Sequence, residues 1–289
     1  MSRNILKRLG IDSGLGDRLG CYLMFSMIGY INNFDVYTTW IYDNNWGRQY
    51  PSNIFDYIHF PENIKFISND EFVKLDCQEL KYRWVYHGFD YIPETIYRSL
   101  SEDGQIQCSY DEMLSYYRRA CRELYYKPKL PDAIKVRPSI IHLRRGDKGS
   151  NNHHKQRLVK LLTDDKIKTI CKNYVVTSDE NIHLDGYDIS DIIIKPDFSN
   201  DIKIRTLEEF FFYSHCKVII QSVVELGNYG GWTGFSYVPF QLGMALYPDS
   251  PPILISLSHD NEQTRFTCAR FYAKRNLTNV IMYNQLVSS

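Results

Sequence analysis

Apolar and polar positions alternate along this chain with two different periods. Residues 17–30 (DRLGCYLMFSMIGY) carry apolar side chains at helical spacing, which predicts a helix behind the glycine turn Ser13-Gly14-Leu15-Gly16. Residues 5–12, ahead of the turn, read as a short strand. Residues 34–40 alternate apolar with polar and close on β-branched and aromatic types, which predicts a second strand. Residues 42–110 are aromatic and rich in turn formers, and no period runs long enough there to assign elements. Residues 111–126 (DEMLSYYRRACRELYY) open on acids and carry arginine later, the order a helix macrodipole favours.

Pro128, Pro131 and Pro138 fall within residues 127–138 and mark a linker. Beyond it, short apolar strands are expected at 139–143, 174–177, 189–194, 218–221 and 253–257, with helices near 155–162, 206–216 and 236–246. Thr206 followed by Glu209 reads as a capping box opening the second of these helices. Strands alternating with helices predict a parallel, doubly wound α/β sheet. The expected architecture is two Rossmann-like α/β domains, residues 1–130 and 131–289, with a ligand cleft between them.

Composition narrows the chemistry. The 289 residues hold 34 Lys+Arg against 34 Asp+Glu, so no net positive field draws the chain to nucleic acid or an anionic membrane. Hydrophobic residues at 44% and charged residues at 24% are ordinary for a globular protein. Aromatics reach 15%, enough to fill cores and also to line a sugar or nucleotide pocket. The seven cysteines form no C-x-x-C pair, and reduced thiols are expected. The N-terminal residues lack an apolar stretch of signal-peptide length, and no apolar run is long enough to cross a bilayer, so the expectation is a soluble cytoplasmic protein. The eight histidines show no metal-ligand spacing, and no metal is expected.

The strongest local signal is Ile141-His142-Leu143-Arg144-Arg145-Gly146-Asp147-Lys148, where a strand should end. Ligands of open α/β sheets bind outside the carboxyl ends of strands. Arg144 and Arg145 can make bidentate bonds to phosphate oxygens, and Asp147 can hold one of them or accept from a sugar hydroxyl. A surface turn with an exposed ion pair is the competing reading of the same residues.

This octapeptide resembles the His-x-Arg-Arg-x-Asp signature of the α1,2-, α1,6- and protein O-fucosyltransferase superfamily. Three more segments agree in order. Gly14-Leu15-Gly16-Asp17-Arg18-Leu19 is similar to the family's N-terminal glycine loop, and Thr177-Ser178-Asp179 to its Thr/Ser-Asp motif. Tyr213-Ser214-His215-Cys216-Lys217, followed by Thr233-Gly234-Phe235-Ser236, resembles its "Ser-His-Cys-Lys … Phe-Ser" stretch.

The resemblance implies a GT-B glycosyltransferase, inverting and metal-independent, acting on a glycan hydroxyl. Its nucleotide-sugar donor is GDP-fucose by default. The absence of an Asp-x-Asp flanked by apolar strands agrees, since Asp188-Ile-Ser-Asp191 has the wrong spacing. By resemblance Arg144 grips the β-phosphate, His142 contacts the nucleotide, Asp179 accepts from the base, and Ser236 with Phe235, Thr233 and the helix start behind them takes the remaining phosphate oxygens. Arg145, Lys148, Gly14 and Gly16 complete the donor contacts. The α1,6 branch carries a glutamate five residues after the signature Asp, where this chain has Asn152. Candidate bases are therefore Asp17, Asp12, Asp147, His153 and His154, with Asp17 preferred. Two alternatives stay open: the same fold with another donor such as UDP-xylose, and a non-catalytic glycan- or nucleotide-binding protein.

Overall fold

The computed structural model describes residues 4–9, 14–40, 51, 53–79, 93–143, 174–178, 196–222, 234–256 and 280–282. The chain divides into two compact units, one of Met1–Lys129 with Ser199–Glu208, the other of Leu130–Phe198 with Glu209–Ser289.

In the first unit β1 (Asn4–Arg8) leads into α1 (Leu15–Asn32) and β2 (Phe34–Thr38). Every residue of α1 from Leu15 to Tyr30 except Asp17 is buried, as befits a helix apolar all round. Asn33 ends it in the left-handed conformation, giving its N–H to the Gly29 and Tyr30 carbonyls. Gly29 is demanded by contact: a Cβ there would stand 2.9 Å from the Phe34 carbonyl oxygen and 2.5 Å from Asn63 Nδ2. The neighbouring Ser26 donates to Asn63 Oδ1 at 2.7 Å and accepts from Asn63 Nδ2 at its carbonyl, so that buried amide is satisfied.

The stretch that showed no period contains α2 (Ile54–Tyr57), β3 (Ile58–His59), β4 (Ile64–Phe66), α3 (Asn69–Lys74), β5 (Gln78–Glu79) and α4 (Pro93–Glu102). Most of these span too few residues for a hydrophobic period to register. The start of α3 is fixed by a capping box, Ser68 with Glu71, and that of α5 (Tyr110–Glu123) by another, Ser109 with Glu112. β6 (Tyr125–Tyr126) then pairs antiparallel with β3. The main sheet is parallel throughout, in the order β4-β2-β1-β5. The chain therefore leaves β1 first to one side and later to the other.

In the second unit the proline-rich stretch forms a 3-10 turn over Asp132–Val136, and Arg137 closes it at φ 46°. β7 (Ser139–Leu143), β8 (Tyr174–Ser178), α6 (Ile202–Tyr213), β9 (Val218–Ser222), α7 (Gly234–Leu246), β10 (Ile253–Ser256) and β11 (Val280–Met282) follow. Residues of α6 up to Glu208 cluster with the first unit. The strands form one parallel sheet in the order β11-β10-β9-β7-β8, as the alternation of strands and helices predicts. The strand expected at 189–194 and the helix expected near 155–162 lie outside the described residues.

One expected boundary is corrected. The Thr206–Glu209 capping box does not form, because α6 starts earlier: Asp201 Oδ1 accepts from the Lys203 N–H at 2.8 Å, and the Asp201 carbonyl takes the first helical bond from Arg205. Thr206 sits inside the helix with its hydroxyl on the Ile202 carbonyl. The apolar run Phe210-Phe211-Phe212-Tyr213 is core, each residue 2% exposed or less. Burial of this size contributes about 1.5–3 kcal/mol per side chain.

Candidate functional site

In the second sheet β7 lies between β8 and β9, so the chain reverses its direction of travel across the sheet at β7. That reversal is where open α/β sheets hold ligands, outside the carboxyl ends of the strands. His142 is the last residue but one of β7, in register with Thr177 of β8 and Gln221 of β9. Its ring is 9% exposed, and its Nδ1 lies 2.6 Å from Ser236 Oγ in the first turn of α7. These two side chains come from positions 94 residues apart. The Phe235 ring stands 5.4 Å from the imidazole and the Tyr213 ring 5.6 Å, with Phe210 packed against Phe235 at 5.3 Å. The end of α6 thus supplies an aromatic wall, and the start of α7 supplies the hydroxyl.

Gly243 lets α7 pack closely, since a Cβ there would meet the Ser214 carbonyl oxygen at 2.8 Å. Pro239 lies inside α7 and has no N–H to give the carbonyl four residues back, at Phe235. The helix start, like any other, carries amide N–H groups and positive potential that favour an anion.

The structure thus brings three expected donor-site residues, His142, Phe235 and Ser236, into one cluster. Ser236 is 0% exposed and its hydroxyl is turned to His142. Arg144, Arg145, Asp147, Lys148, Asp179 and Thr233 lie outside the described residues, as do Asp12, Asn152, His153 and His154. Arg144 is the next residue in the chain after β7, and Asp179 the next after β8. Tyr213 enters the sequence reading only as the first residue of a motif segment, with no role of its own. Its place at the imidazole had one signal, membership of the same motif as His215.

In the first sheet β1 is likewise the strand from which the chain departs to both sides. Gly14 caps α1 in an extended conformation without a side-chain cap, and a Cβ there would meet nothing within 4 Å. Gly16 is buried, while Asp17 is half-buried in the first turn, where the helix dipole favours its charge. Burial raises the Cys21 thiol pKa well above its ordinary value, and the Asp17 charge raises it further.

Arg18 went unassigned in the sequence and is 1% exposed, its guanidinium 5.3 Å from the Trp40 ring. Trp40 is half-buried and packs against Tyr22, Phe55, Phe60 and Phe66. Tyr22 donates to the Thr39 carbonyl at 3.0 Å, and burial raises its phenol pKa strongly. Among the described residues no three His, Cys, Asp or Glu side chains stand together as metal ligands. No described helix is long and apolar enough to cross a membrane.

No family model and no curated protein matches the chain. Among solved structures, an α-1,6-fucosyltransferase, NodZ, whose crystal was soaked with GDP-fucose, is similar at a TM-score of 0.50. It shares 12% identity, and the match covers 91% of this chain and 97% of that one. NodZ from Bradyrhizobium matches at 0.49 and 13% identity over 90% and 97% of the two chains. A FUT1 mutant of Arabidopsis thaliana in complex with GDP matches at 0.48 and 12% over 91% and 72%. At these identities the likeness is one of fold, and it rests on the first structure. The α/β fold of this chain, with a parallel sheet in each of its two units, is the GT-B fold.

Proposed function

We propose that this chain is a glycosyltransferase that moves a sugar, fucose by default, from a nucleoside diphosphate donor to a glycan hydroxyl, with inversion and without a metal. The observation that carries the reading is the meeting of His142 and Ser236, from two separate motif segments, at the point where the second sheet reverses direction. The fold shared with a fucosyltransferase whose crystal was soaked with GDP-fucose supports GDP-fucose as the donor. The donor-binding domain is residues 131–289 and the acceptor-side domain residues 1–130, and the enzyme works in the cytoplasm.

In this reading the diphosphate lies over the carboxyl end of β7 and the N-terminus of α7. Arg144, with Arg145 and Lys148, neutralises the charge that develops as the bond between the anomeric carbon and the phosphate oxygen breaks. Asp147 orients that arginine pair, Asp179 accepts from the base, and Thr233 and Phe235 close the site beside Ser236. An acceptor hydroxyl attacks the anomeric carbon from the opposite face and passes its proton to the Asp17 carboxylate, leaving nucleoside diphosphate and an inverted glycoside. Gly14, at the cap ahead of Asp17, presents no side chain, so a ligand can approach the backbone there, and buried Gly16 adds no bulk to the first turn behind it.

A thermal-shift screen against GDP, UDP, GDP-fucose and UDP-xylose tests the reading. A ligand at about 100 times its Kd stabilises the folded chain by about 2.7 kcal/mol, a rise of several degrees. The expected order is GDP and GDP-fucose above the uridine nucleotides. A flat response to all four removes the transferase reading, and a preference for UDP-xylose changes the donor. Asp17→Asn is expected to stop transfer while GDP still binds; full activity in that variant would move the base elsewhere.

A further inference from the structure

At the amino end of the second sheet stands an arginine whose donors are only partly used. Arg137 closes the 3-10 turn ahead of β7 at φ 46°, a left-handed conformation that favours glycine and that a long side chain adopts under strain. Its guanidinium stacks on the Tyr247 ring at 3.8 Å, and Nη1 donates to the Ser250 carbonyl at 2.9 Å and to Ser250 Oγ at 3.2 Å. Nε and Nη2 are buried, and among the described residues they meet no acceptor and no carboxylate pairs with the side chain. Unmet N–H groups on a charge are costly, and a guanidinium fork is shaped to meet two oxygens of one anion at once.

Ser250 is exposed and ends the turn Tyr247-Pro248-Asp249-Ser250, its N–H returning to the Tyr247 carbonyl at 3.2 Å. Of the 11 prolines in the chain, Pro251 alone stands directly after a serine or threonine. A residue before proline is biased to extended backbone, the form in which a kinase cleft takes its substrate, and Ser-Pro is the pair a proline-directed kinase reads.

We propose that Ser250 is a phosphorylation site and that Arg137 is the group that receives its phosphate. A proline-directed serine kinase supplies the phosphoryl group from ATP. The Ser250 hydroxyl oxygen bonds to the γ-phosphorus, the bond from that phosphorus to the β–γ bridging oxygen breaks, ADP leaves, and the hydroxyl proton passes to the kinase's base. The product carries about −1.5 to −2 charge and three acceptor oxygens, at a place where Nη1 already reaches the serine oxygen. The guanidinium can turn within the plane of its stack on Tyr247, which brings Nε and Nη2 round to those oxygens without giving up the ring. A free anion has no such start, because the unmet nitrogens are closed to solvent. Modification thereby ties the turn between α7 and β10 to the entry of β7. It is independent of the donor reading, which concerns the other end of the same strand.

The test treats the purified full chain with ATP and a proline-directed kinase and locates the phosphate by mass spectrometry. Phosphate on Ser250 is expected, and none in Ser250→Ala; an unmodified Ser250 sinks the proposal. Phosphorus-31 NMR of the modified chain then reads the receiving group. A solvated phosphoserine has its second pKa at about 6, and a paired guanidinium holds the midpoint lower. A midpoint at the ordinary value would leave the phosphate in solvent and remove Arg137 from the site. Modification should also raise the melting temperature by a few degrees in the wild type and not in Arg137→Lys, which keeps the charge and loses the fork. An equal rise in both overturns the pairing; if Arg137→Lys does not fold, the phosphorus titration of the wild type decides alone. Millimolar inorganic phosphate should leave the unmodified chain's melting temperature unchanged. A rise matching that of the modified chain would make the cluster a free-anion site and overturn the covalent one.

Discussion

The second sheet carries a histidine at each end, and each bonds a hydroxyl through Nδ1. At the carboxyl end His142 meets Ser236 Oγ at 2.6 Å; at the amino end His215, just ahead of β9, meets the Tyr247 hydroxyl at 2.7 Å. The local chemistry is nearly the same, and the surroundings differ. His142 stands where the strand order reverses and two arginines follow in the chain. His215 stands beside Arg137, whose guanidinium stacks on the Tyr247 ring at 3.8 Å and is pinned by the Ser250 carbonyl. In the proposed function one histidine belongs to the donor site. The other ties together the segments that enter the strands. Position in the topology separates the two roles, because hydrogen bonding does not.

The strongest way to break that contrast is at Arg144. Arg144→Ala is expected to lower kcat by about 100-fold or more, the usual effect of removing one charge-stabilising donor at a reacting centre. Its melting temperature should stay within a degree or two of the parent. Retained turnover in a transfer assay would take the carboxyl end of β7 out of the chemistry and leave the two histidines equivalent.

Next in size is a change at the amino end that should do the opposite. Gly243→Ala places a Cβ 2.8 Å from the Ser214 carbonyl oxygen, a backbone atom that cannot step aside alone. Overpacking of this kind costs about 1–3 kcal/mol, so denaturant melts should shift while GDP affinity in the folded fraction does not. A variant that kept its stability but lost GDP would show that the spacing of α7 tunes the donor site.

The sequence made the carboxyl end legible in part. His142 lies near the end of one short β-branched strand, Arg144 follows it and Asp179 follows the next, and the strand pattern located those ends well enough to name them. Ser236 was placed at a helix start, but its partner was not, because pairing across 94 residues leaves no local trace. Tyr213 disappeared into an aromatic run whose period fits core packing equally well. The amino-end pair was missed for the same reason, and α6 began four residues earlier than the Thr206–Glu209 pattern implied because Asp201 offers a better cap. In the first unit, the elements of two to six residues between β2 and α4 carried no period, and of these only α3 could have been found from spacing, through its capping box at Ser68.

The pH response sharpens the contrast further. Burial, and after it the Arg137 charge, lower the pKa of His215 below its ordinary value. The unfolded chain takes up a proton there near pH 6.5, and the folded chain only at lower pH. The unfolded state therefore binds more protons in that window, so this histidine costs no stability above about pH 6.5 and destabilises progressively as pH falls toward its folded pKa. Melting temperature should drop over that range, and His215→Gln should flatten the drop. An unchanged slope in the variant would assign the pH response to other groups.

The smallest expected effect isolates one hydroxyl. Tyr247→Phe keeps the ring on which Arg137 stacks and removes only the oxygen that bonds His215. The loss should be about 1 kcal/mol, the net worth of one such hydrogen bond, read as a shift of a few degrees at most in a chain of this length. GDP affinity should be unchanged. Ser236→Ala removes the same kind of bond at the other end of the same sheet, and there the expected loss is read in affinity as well. If Tyr247→Phe also weakened GDP, the two ends of the sheet would be coupled, and the amino-end cluster would act on the ligand through β7 and β9 instead of only tying the strands' entries together.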